Sequence, residues 1–266
     1  MIRLGVLGWP VAHSRSPAMH NAALAELGLD DWTYQLLPVP PELFAETVRA
    51  LPELGFRGVN VTIPHKEAAL AVADEATERA QAVGAANTLT FAGERILADN
   101  TDAPGVIAAL PEPPTDRRAL VLGAGGSARG VVWALRDAGA VEVLVWNRTP
   151  ARAEQLAREL GARAVARAEP ADLLVNCTAA GLDSGDDPFK HLPLSADDLP
   201  GYSCVMDLVY GPRDTALIAA ARRRGVTVVD GLEVLVRQGA LSFARWTGRP
   251  APVDAMRTAA RDPARA

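Results

Sequence analysis

One lysine stands out among the residues of this sequence that could do chemistry. Lys66 ends the segment NVTIPHK, and it is one of only two lysines among 27 basic residues. The other, Lys190, lies in a segment rich in Asp and Pro, where exposure alone accounts for it. An ammonium group can lose its proton near neutral pH when its surroundings favour that, whereas a guanidinium stays charged. Lys66 is therefore a candidate for proton transfer, and chance survival at an exposed site is the alternative.

Other polar side chains lie near predicted strand ends in the first 110 residues. They are Ser14, Ser16, Asn60, Thr62, Asn87 and Asp102. Two hydroxyls one residue apart suit a carboxylate, and Asn with Thr suits the hydroxyls of a substrate. Each also has a structural alternative: Ser16 as a helix cap, Asn87 as a turn residue and Asp102 as the cap of the helix that follows it.

A glycine-rich segment, GAGGSAR at residues 123–129, follows a strand-like run and opens a helix-like one. Gly123, Gly125 and Ala128 have the G-x-G-x-x-A spacing. Glycines let the backbone approach a pyrophosphate, and a helix N-terminus offers free N–H groups to the anion. In this context the motif predicts nucleotide binding, with an ordinary Gly-rich turn as the alternative.

The end of the next strand indicates which nucleotide is bound. The segment VLVWNRT ends in Asn147, Arg148 and Thr149, without the carboxylate that would bind the ribose 2'-hydroxyl of NAD. Arg148 can instead pair with a 2'-phosphate, with hydrogen bonds from its two neighbours, so NADP is predicted. The alternative is that Arg148 is a solvated surface charge.

Composition excludes several classes of protein. The chain has 266 residues, 49% of them hydrophobic, and its length favours two domains. A net charge of -5 and a pI of 5.5 argue against nucleic acid or an anionic membrane as the main partner. No apolar run approaches the roughly 20 residues of a membrane span, and the start lacks signal-peptide features, so a cytoplasmic location is predicted. Cys177 and Cys204 lack metal-site spacing and are expected to be buried thiols.

The pattern of elements predicts an α/β fold. Apolar strand-like runs alternate with helical patterns from IRLGVLG onward. Ser16 and Pro17 are predicted as the N-cap and first residue of a helix, which places the loop GWPVAHSRSP at the carboxyl end of the first strand. The segment PEPPTDRR, residues 111–118, is predicted to be a linker or domain edge, since a second alternation typical of a buried parallel sheet follows it.

At this point the sequence resembles a known family. The segments GWPVAHSRSPAMHN, NVTIPHK, GAANTL, DNTDAPG, GAGGSAR, NRT, NCT and GLEVLVRQGA, in this order and spacing, resemble those of shikimate dehydrogenases nearly end to end. The resemblance implies reduction of 3-dehydroshikimate to shikimate with NADPH, a step of aromatic amino-acid biosynthesis. It also implies a substrate-binding domain formed by residues 1–101 and 238–266, and a Rossmann-like NADP-binding domain at 102–237.

The resemblance also implies roles for individual residues. Lys66 and Asp102 become the catalytic pair, and Ser14 and Ser16 bind the substrate carboxylate, near which Tyr210 also lies. The ring oxygens and hydroxyls are assigned to Asn60, Thr62, Asn87 and Gln238. The cofactor is assigned to Gly123, Ala124, Gly125, Gly126, Ser127, Ala128, Asn147, Arg148, Thr149, Thr178, Leu208 and Gly231, the last beside the nicotinamide. No metal site is expected; His13 and His65 lack a partner at metal-ligand spacing. A homodimer is possible.

The sequence departs from the family pattern in small ways. Ala179 and Leu182 stand where serine and methionine are usual, and Val234 replaces a usual methionine. These changes concern packing or the nicotinamide pocket more than the reaction. Two alternatives stay open: a quinate/shikimate dehydrogenase that uses NAD, against which Arg148 argues, and a non-catalytic NADP-sensing regulator, which should have lost Lys66 or Asp102 or gained a DNA-binding segment.

Overall fold

The computed structural model describes residues 1–182, 187–211 and 213–262, which form alternating strands and helices. These residues separate into two compact units, Met1–Gly105 with Leu235–Ala266, and Val106–Val234. The chain passes from one unit to the other inside two helices, α5 (Asp102–Ala109) and α9 (Gly231–Thr247). We call the discontinuous unit the first unit and the continuous one the second unit.

In the first unit, the part of the chain that the structure describes forms six strands and, besides parts of α5 and α9, five further helices. The strands are β1 (Ile2–Gly8), β2 (Trp32–Pro38), β3 (Phe56–Val61), β4 (Glu75–Ala76), β5 (Thr88–Ala92) and β6 (Arg95–Asp99). The helices are α1 (Ser16–Glu26), α2 (Phe44–Ala50), α3 (Lys66–Val72), α4 (Glu78–Val83) and α10 (Val253–Arg261). A 3-10 turn, Pro41–Leu43, precedes α2.

The sheet of the first unit is mixed. Its strand order is β2-β1-β3-β5-β6-β4, and β1 is parallel to both β2 and β3. β5 and β6 form an antiparallel hairpin, and β5 also runs antiparallel to β3, with Asn60 opposite Thr88. The predicted alternation of strand and helix did not include this hairpin. Parallel β1 and β3 bring the loops that follow them to the same edge of the sheet.

The described residues of the second unit form the other six strands and, besides the remaining parts of α5 and α9, three helices. The strands are β7 (Arg118–Leu122), β8 (Glu142–Trp146), β9 (Arg163–Ala164), β10 (Leu173–Asn176), β11 (Cys204–Asp207) and β12 (Thr227–Val229). The helices are α6 (Gly126–Asp137), α7 (Pro150–Leu160) and α8 (Ala216–Arg223), and 3-10 turns cover Pro188–Lys190 and Ala196–Gly201.

The sheet of the second unit is parallel throughout the described residues, in the order β12-β11-β10-β7-β8-β9. Strand order reverses at β7, whose neighbours are β10 and β8. In open α/β sheets, ligands bind outside the carboxyl ends of the strands at such a switch point. The α/β fold and the buried parallel sheet predicted from the sequence are confirmed.

Both faces of this parallel sheet are buried, which explains its continuous apolar runs. Val121 packs in a core with Val131 and Leu135 of α6, whereas its neighbours Leu120 and Leu122 pack in a second core on the other face. Full burial of a Val or Leu side chain contributes about 1.5–3 kcal/mol to the free energy of unfolding. The cores therefore fix β7, and with it the turn that begins at Gly123.

The division between the units falls inside α5, not in the segment 111–118. Val106 packs in the core of the second unit, and Asp102 at the start of the same helix bonds to residues of the first unit. The sequence-based boundary had placed Asp102 in the cofactor domain. Its bonds to Lys66 and Asn87 are the physical reason that it belongs with the first unit.

Two further findings concern the described residues as a whole. Across the described ranges, no helix combines the length and apolar character that crossing a bilayer requires. Cys204 is buried and Cys177 is half-buried. Burial raises the pKa of Cys204 to about 11, so this thiol is protonated and inert at neutral pH.

Candidate active site

Lys66 and Asp102 form an ion pair at the centre of the candidate site. Lys66 is the first residue of α3, just after the loop that follows β3, and Asp102 is the first residue of α5. The Lys66 Nζ donates to Asp102 Oδ2 over 2.7 Å. The two side chains are 12% and 17% exposed, so the pair is mostly screened from water but not sealed from it.

Asp102 is available for this pair because another residue caps α5. The Asn100 Oδ1 accepts a hydrogen bond from the backbone N–H of Ala103 at 3.0 Å. The side chain of Asn100 itself is held by the carbonyl of Ala85 at 2.9 Å. The capping alternative for Asp102 is therefore not what the structure shows, and its carboxylate faces Lys66 and Asn87 instead.

Asn87 holds the second oxygen of Asp102. The Asn87 Oδ1 accepts from the backbone N–H of Thr101 at 2.7 Å, and a backbone N–H can only donate. This contact fixes the orientation of the amide, so Nδ2 points the other way. Nδ2 donates to Asp102 Oδ1 at 2.8 Å and to Gln238 Oε1 at 3.1 Å. Four predicted site residues, Lys66, Asp102, Asn87 and Gln238, thus form one connected cluster.

Asn60 lies behind this cluster. Its Nδ2 donates to the Asn87 carbonyl at 3.2 Å and to Thr88 Oγ1 at 3.3 Å. Its Oδ1 accepts from the Tyr34 hydroxyl at 2.8 Å, and Ser242 Oγ lies 3.4 Å from the same oxygen. Asn60 is only 5% exposed.

Ser14 and Thr62 lie in the neighbouring loops after β1 and β3, and Ser16 begins α1 at the end of the first of these loops. The backbone N–H of Trp9 donates to the carbonyl of Ile63 at 3.0 Å, which ties these loops together. Thr62 also packs against β1, since a Cβ added at Gly8 would lie 2.5 Å from its methyl group.

The start of α1 differs from the prediction by one residue. The helix begins at Ser16, its N-cap is Arg15, and Pro17 lies in its first turn. The Ser14 Oγ accepts from the backbone N–H of Ser16 at 3.3 Å, so Ser14 supplies the acceptor that the prediction had assigned to Ser16. The predicted N-cap at Ser16 was wrong for this reason.

Histidines near the site make local contacts. The His65 ring contacts the Val39 carbonyl at 2.7 Å and stacks on Phe44, while His13 is exposed. His20 is fully buried and stacks on Tyr34 with ring centroids 4.2 Å apart. Burial lowers the pKa of His20 to about 3, so it is neutral at physiological pH. Within the described ranges, no group of three or more His, Cys, Asp or Glu is placed to hold a metal ion.

In the second unit, the glycine motif forms the turn between β7 and α6. Gly123 has a φ of 109°, which favours glycine, and a Cβ there would lie 3.1 Å from the backbone of Cys177. Gly125 is the N-cap of α6, and a Cβ there would meet no heavy atom within 4 Å. A side chain at Gly125 would occupy the space over the helix N-terminus. The buried Ala128 packs in the core behind the turn. These residues fit a pyrophosphate bound at the helix N-terminus.

The other predicted cofactor residues lie at the same edge of this sheet. Asn147, Arg148 and Thr149 follow β8, and Arg148 is exposed. Thr178 follows β10, and Leu208 and Tyr210 follow β11. Gly231 begins α9, and a Cβ there would lie 2.7 Å from the Leu208 carbonyl oxygen, so only glycine fits this approach. Tyr210 is thus the one predicted substrate residue that belongs to the second unit.

One buried carboxylate at this edge was not predicted. Asp207 ends β11 and is fully buried, and its Oδ1 accepts from Asn176 Nδ2 at 2.9 Å and from the Val209 N–H at 3.1 Å. Its Oδ2 accepts from Thr215 Oγ1 at 2.6 Å. Asn176 in turn accepts from the hydroxyl of Thr178 at 2.7 Å. The sequence contains one signal that could have indicated this buried carboxylate, which is the position of Asp207 inside the apolar run CVMDLVY.

An open glycine turn at the switch point of a parallel sheet is typical of dinucleotide-dependent oxidoreductases. A lysine paired with a carboxylate suits the proton transfer that accompanies carbonyl reduction. The fold and the two sites therefore define an oxidoreductase of this class, and comparison with known proteins gives the family.

Three family models match the chain in succession. They are the shikimate dehydrogenase substrate binding domain at residues 6–89, shikimate / quinate 5-dehydrogenase at residues 110–180, and the shikimate 5'-dehydrogenase C-terminal domain at residues 231–261. A shikimate dehydrogenase (NADP(+)) of Thermus thermophilus is 48% identical over 265 residues, covering 98% of each chain. The chain belongs to the shikimate dehydrogenase family.

Solved structures agree with this assignment. The shikimate 5-dehydrogenase of another Thermus thermophilus strain, in complex with NADP(H) and shikimate, superposes with a TM-score of 0.89 at 46% identity, covering 98% of this chain and 99% of the other. A 5-ketofructose reductase of a Gluconobacter strain has a TM-score of 0.86 at 29% identity, covering 97% of each chain. The predicted family, the fold class and the assignment as an NADP-dependent enzyme are confirmed.

Proposed function

We propose that this chain reduces 3-dehydroshikimate to shikimate with NADPH, and that Lys66 and Asp102 carry the proton transfer. The observation that carries the proposal is the 2.7 Å ion pair between Lys66 Nζ and Asp102 Oδ2, with the other carboxylate oxygen held by Asn87. Asp102 is thereby fixed from both sides, so its position sets that of the lysine.

The source of the proton follows from the chemistry of Lys66 and Asp102. Reduction of a ketone leaves a developing alkoxide that needs a proton, and the Nζ of Lys66 supplies it as a general acid. In the reverse direction the neutral amine takes the proton from the alcohol. Asp102 positions Lys66 and accepts a hydrogen bond from the same substrate hydroxyl. The partial exposure of both side chains lets Lys66 exchange its proton with water between turnovers.

The second unit supplies the groups that would hold NADP. The turn from Gly123 to Ala128 would bind the pyrophosphate, and Asn147, Arg148 and Thr149 would bind the 2'-phosphate. Thr178, Leu208 and Gly231 would border the nicotinamide. When bound, NADPH supplies the hydride for the carbonyl carbon. The protein would position the cofactor and the substrate, exclude water from them and supply the proton.

We propose that the substrate binds through polar side chains of both units. The hydroxyls of Ser14 and Ser16, with Tyr210, would bind its carboxylate. Thr62, Asn87 and Gln238 would bind its ring hydroxyls, with a substrate oxygen exchanging for the contact between the last two amides. A hydroxylated ring that carries one carboxylate matches this set of donors and acceptors.

The substitution Lys66→Arg tests the assigned chemistry. It keeps a positive charge beside Asp102 but removes a proton that transfers readily. We expect turnover to fall by roughly 10² to 10⁴-fold with much less change in substrate binding. Lys190→Arg, at the only other lysine of the sequence, is the matched control and should leave turnover unchanged. Near-native turnover of Lys66→Arg would make Lys66 a binding cation and refute the assignment.

The proposal extends to the state of the protein in the cell. We propose a cytoplasmic enzyme that acts on a small molecule rather than on nucleic acid or membrane, and that forms a homodimer. Size-exclusion chromatography with light scattering measures the mass directly. The mass of a single chain at micromolar concentration would exclude the dimer.

A further inference from the structure

Both hydrogens and the oxygen of the Asn60 amide are hydrogen-bonded within the protein, although the resemblance assigned Asn60 to the substrate. An asparagine side chain has two donor hydrogens and two acceptor lone pairs. The hydrogens go to the Asn87 carbonyl and Thr88 Oγ1, and Oδ1 accepts from the Tyr34 hydroxyl. Ser242 Oγ lies 3.4 Å from the same oxygen, but its single hydrogen has a nearer acceptor in the Gly239 carbonyl at 3.0 Å. A substrate contact would cost one of these buried bonds.

The bonds of Asn60 lead in one direction toward the catalytic pair. Because Asn60 Nδ2 donates into Thr88 Oγ1, the single proton of that hydroxyl is left for Asn87 Oδ1 at 3.1 Å or Thr101 Oγ1 at 3.0 Å. One acceptor is the Asn87 amide oxygen itself, and the other, Thr101 Oγ1, can donate to that same oxygen at 3.1 Å. That amide holds Asp102 Oδ1, and Asp102 holds Lys66.

Tyr34 begins this path. Its ring is 2% exposed and stacks on His20 at an interplanar angle of 1°. The hydroxyl donates to Asn60 Oδ1 at 2.8 Å. The Asn87 carbonyl can only accept, so Nδ2 of Asn60 faces Asn87 and Thr88 and its Oδ1 faces the Tyr34 hydroxyl.

We propose that Tyr34, Asn60 and Thr88 form a positioning relay that orients Asn87, and through it the pair of Asp102 and Lys66, without touching the substrate. This inference rests on the proposed function, since it names residues that support the same proton transfer. In this relay Asn60 holds Asn87 at two points. It donates to the Asn87 backbone carbonyl directly, and it contacts the Asn87 side-chain amide through Thr88.

The substitution Tyr34→Phe tests the relay because it keeps the ring and its stack on His20 and removes only the hydroxyl. We expect kcat for shikimate oxidation to fall about 3- to 10-fold, the factor that one ordinary hydrogen bond is worth. KM for shikimate should stay within about 2-fold, since the relay holds the reacting groups rather than the substrate. Tyr202→Phe, at a buried tyrosine of the second unit, is the control and should change neither constant.

A double-mutant cycle separates a relay from independent structural effects. In the Thr88→Val background, Tyr34→Phe should lower kcat by a smaller factor than it does in the wild type, because members of one hydrogen-bond network are not additive. Equal factors in the two backgrounds would overturn the relay. So would a rise in KM with kcat unchanged, which would show that Asn60 binds the substrate directly.

The same measurements distinguish failure of the relay from failure of the proposed function. A wild-type protein that does not oxidise shikimate with NADP refutes the function. A fully active wild type whose Tyr34→Phe variant has the same kcat, even at a lower melting temperature, refutes only the relay.

Discussion

At the scale of single residues, the site depends on which polar side chains cap helices and which remain available to the catalytic pair. Asp102 is free to pair with Lys66 because Asn100 caps α5. Ser14 supplies the acceptor at the start of α1, and the backbone of Thr101 sets the orientation of the Asn87 amide. For Asp102 and Asn87, the structure gives the hydrogen-bond partners that the sequence could not.

The choice of NADP over NAD is predicted to depend on Arg148. This side chain is exposed after β8, and loss of its charge-assisted bond to a 2'-phosphate should cost about 1.5–3 kcal/mol. Arg148→Ala should therefore raise KM for NADP about 10- to 100-fold and leave KM for NAD nearly unchanged. Arg158→Ala, at an exposed arginine in the last turn of α7, is the control. Equal losses with both cofactors would refute the assignment.

Binding of the substrate carboxylate is predicted to depend on Ser14 and Ser16. Replacing both with alanine should weaken shikimate binding at least about 10-fold, since hydrogen bonds to a charged group are worth about 1.5–3 kcal/mol each. Titration calorimetry with shikimate and, separately, with NADPH measures both affinities. NADPH binding should be intact. An unchanged affinity for shikimate would return both serines to a structural role at the start of α1.

At the scale of elements, Asp207 joins the ends of three of them in the second unit. It bonds to Asn176 at the end of β10, to Val209 after its own strand β11, and to Thr215, the N-cap of α8. Desolvation by burial raises the pKa of Asp207 to about 6 from an ordinary value of 3.8, although the bonds from Thr215, Val209 and Asn176 lower it. The carboxyl therefore titrates near neutral pH.

This pKa predicts how stability depends on pH. Between pH 3.8 and about 6 the folded protein retains a proton that the unfolded chain has released, so the contribution of Asp207 to the free energy of unfolding falls as pH rises through this window. The full loss is about 3 kcal/mol. Asp207→Asn removes the titrating group, so the wild type should lose stability relative to the variant from pH 4 to pH 7.

Urea unfolding at a series of pH values measures this difference, followed by tryptophan fluorescence, to which Trp133 and Trp146 of the second unit contribute. Taking the difference between the two proteins cancels the titration of all other groups. Asp214→Asn, at a more exposed carboxylate near α8, is the control and should leave the pH dependence of the wild type unchanged. A difference that is flat, or that grows with pH, would contradict the prediction.

Most strands and helices could be predicted from the sequence because their apolar residues follow recognisable patterns. The strands of the parallel sheet are continuous apolar runs, and the glycine motif lies where a strand meets a helix. The hairpin of β5 and β6 was not predicted, since residues such as Thr88 and Asp99 are polar and yet buried. Their burial is offset by hydrogen bonds to Thr101 and Arg79, partners that only the fold brings near.

At the scale of the whole molecule, the first unit is built from both ends of the sequence. In α9, Gln238 reaches Asn87, Arg245 pairs with the buried Asp99, and Trp246 Nε1 donates to the Leu89 carbonyl at 3.0 Å. The resemblance to the family predicted that the C-terminal helix rejoins the first domain. The relay from Tyr34 to Asn87 was not predictable, because Tyr34, Asn60 and the pair Asn87 and Thr88 are far apart in sequence and meet only in the folded sheet.

The measurement that tests the central claim most directly is the initial rate of the purified protein with shikimate and with quinate, each with NADP and with NAD. The account predicts that shikimate with NADP gives by far the highest kcat/KM, because Arg148 is assigned to the 2'-phosphate and Lys66 is paired with Asp102. Comparable rates with quinate and NAD would contradict it in favour of a quinate/shikimate dehydrogenase. NADP binding without turnover of either acid would contradict it in favour of a non-catalytic regulator.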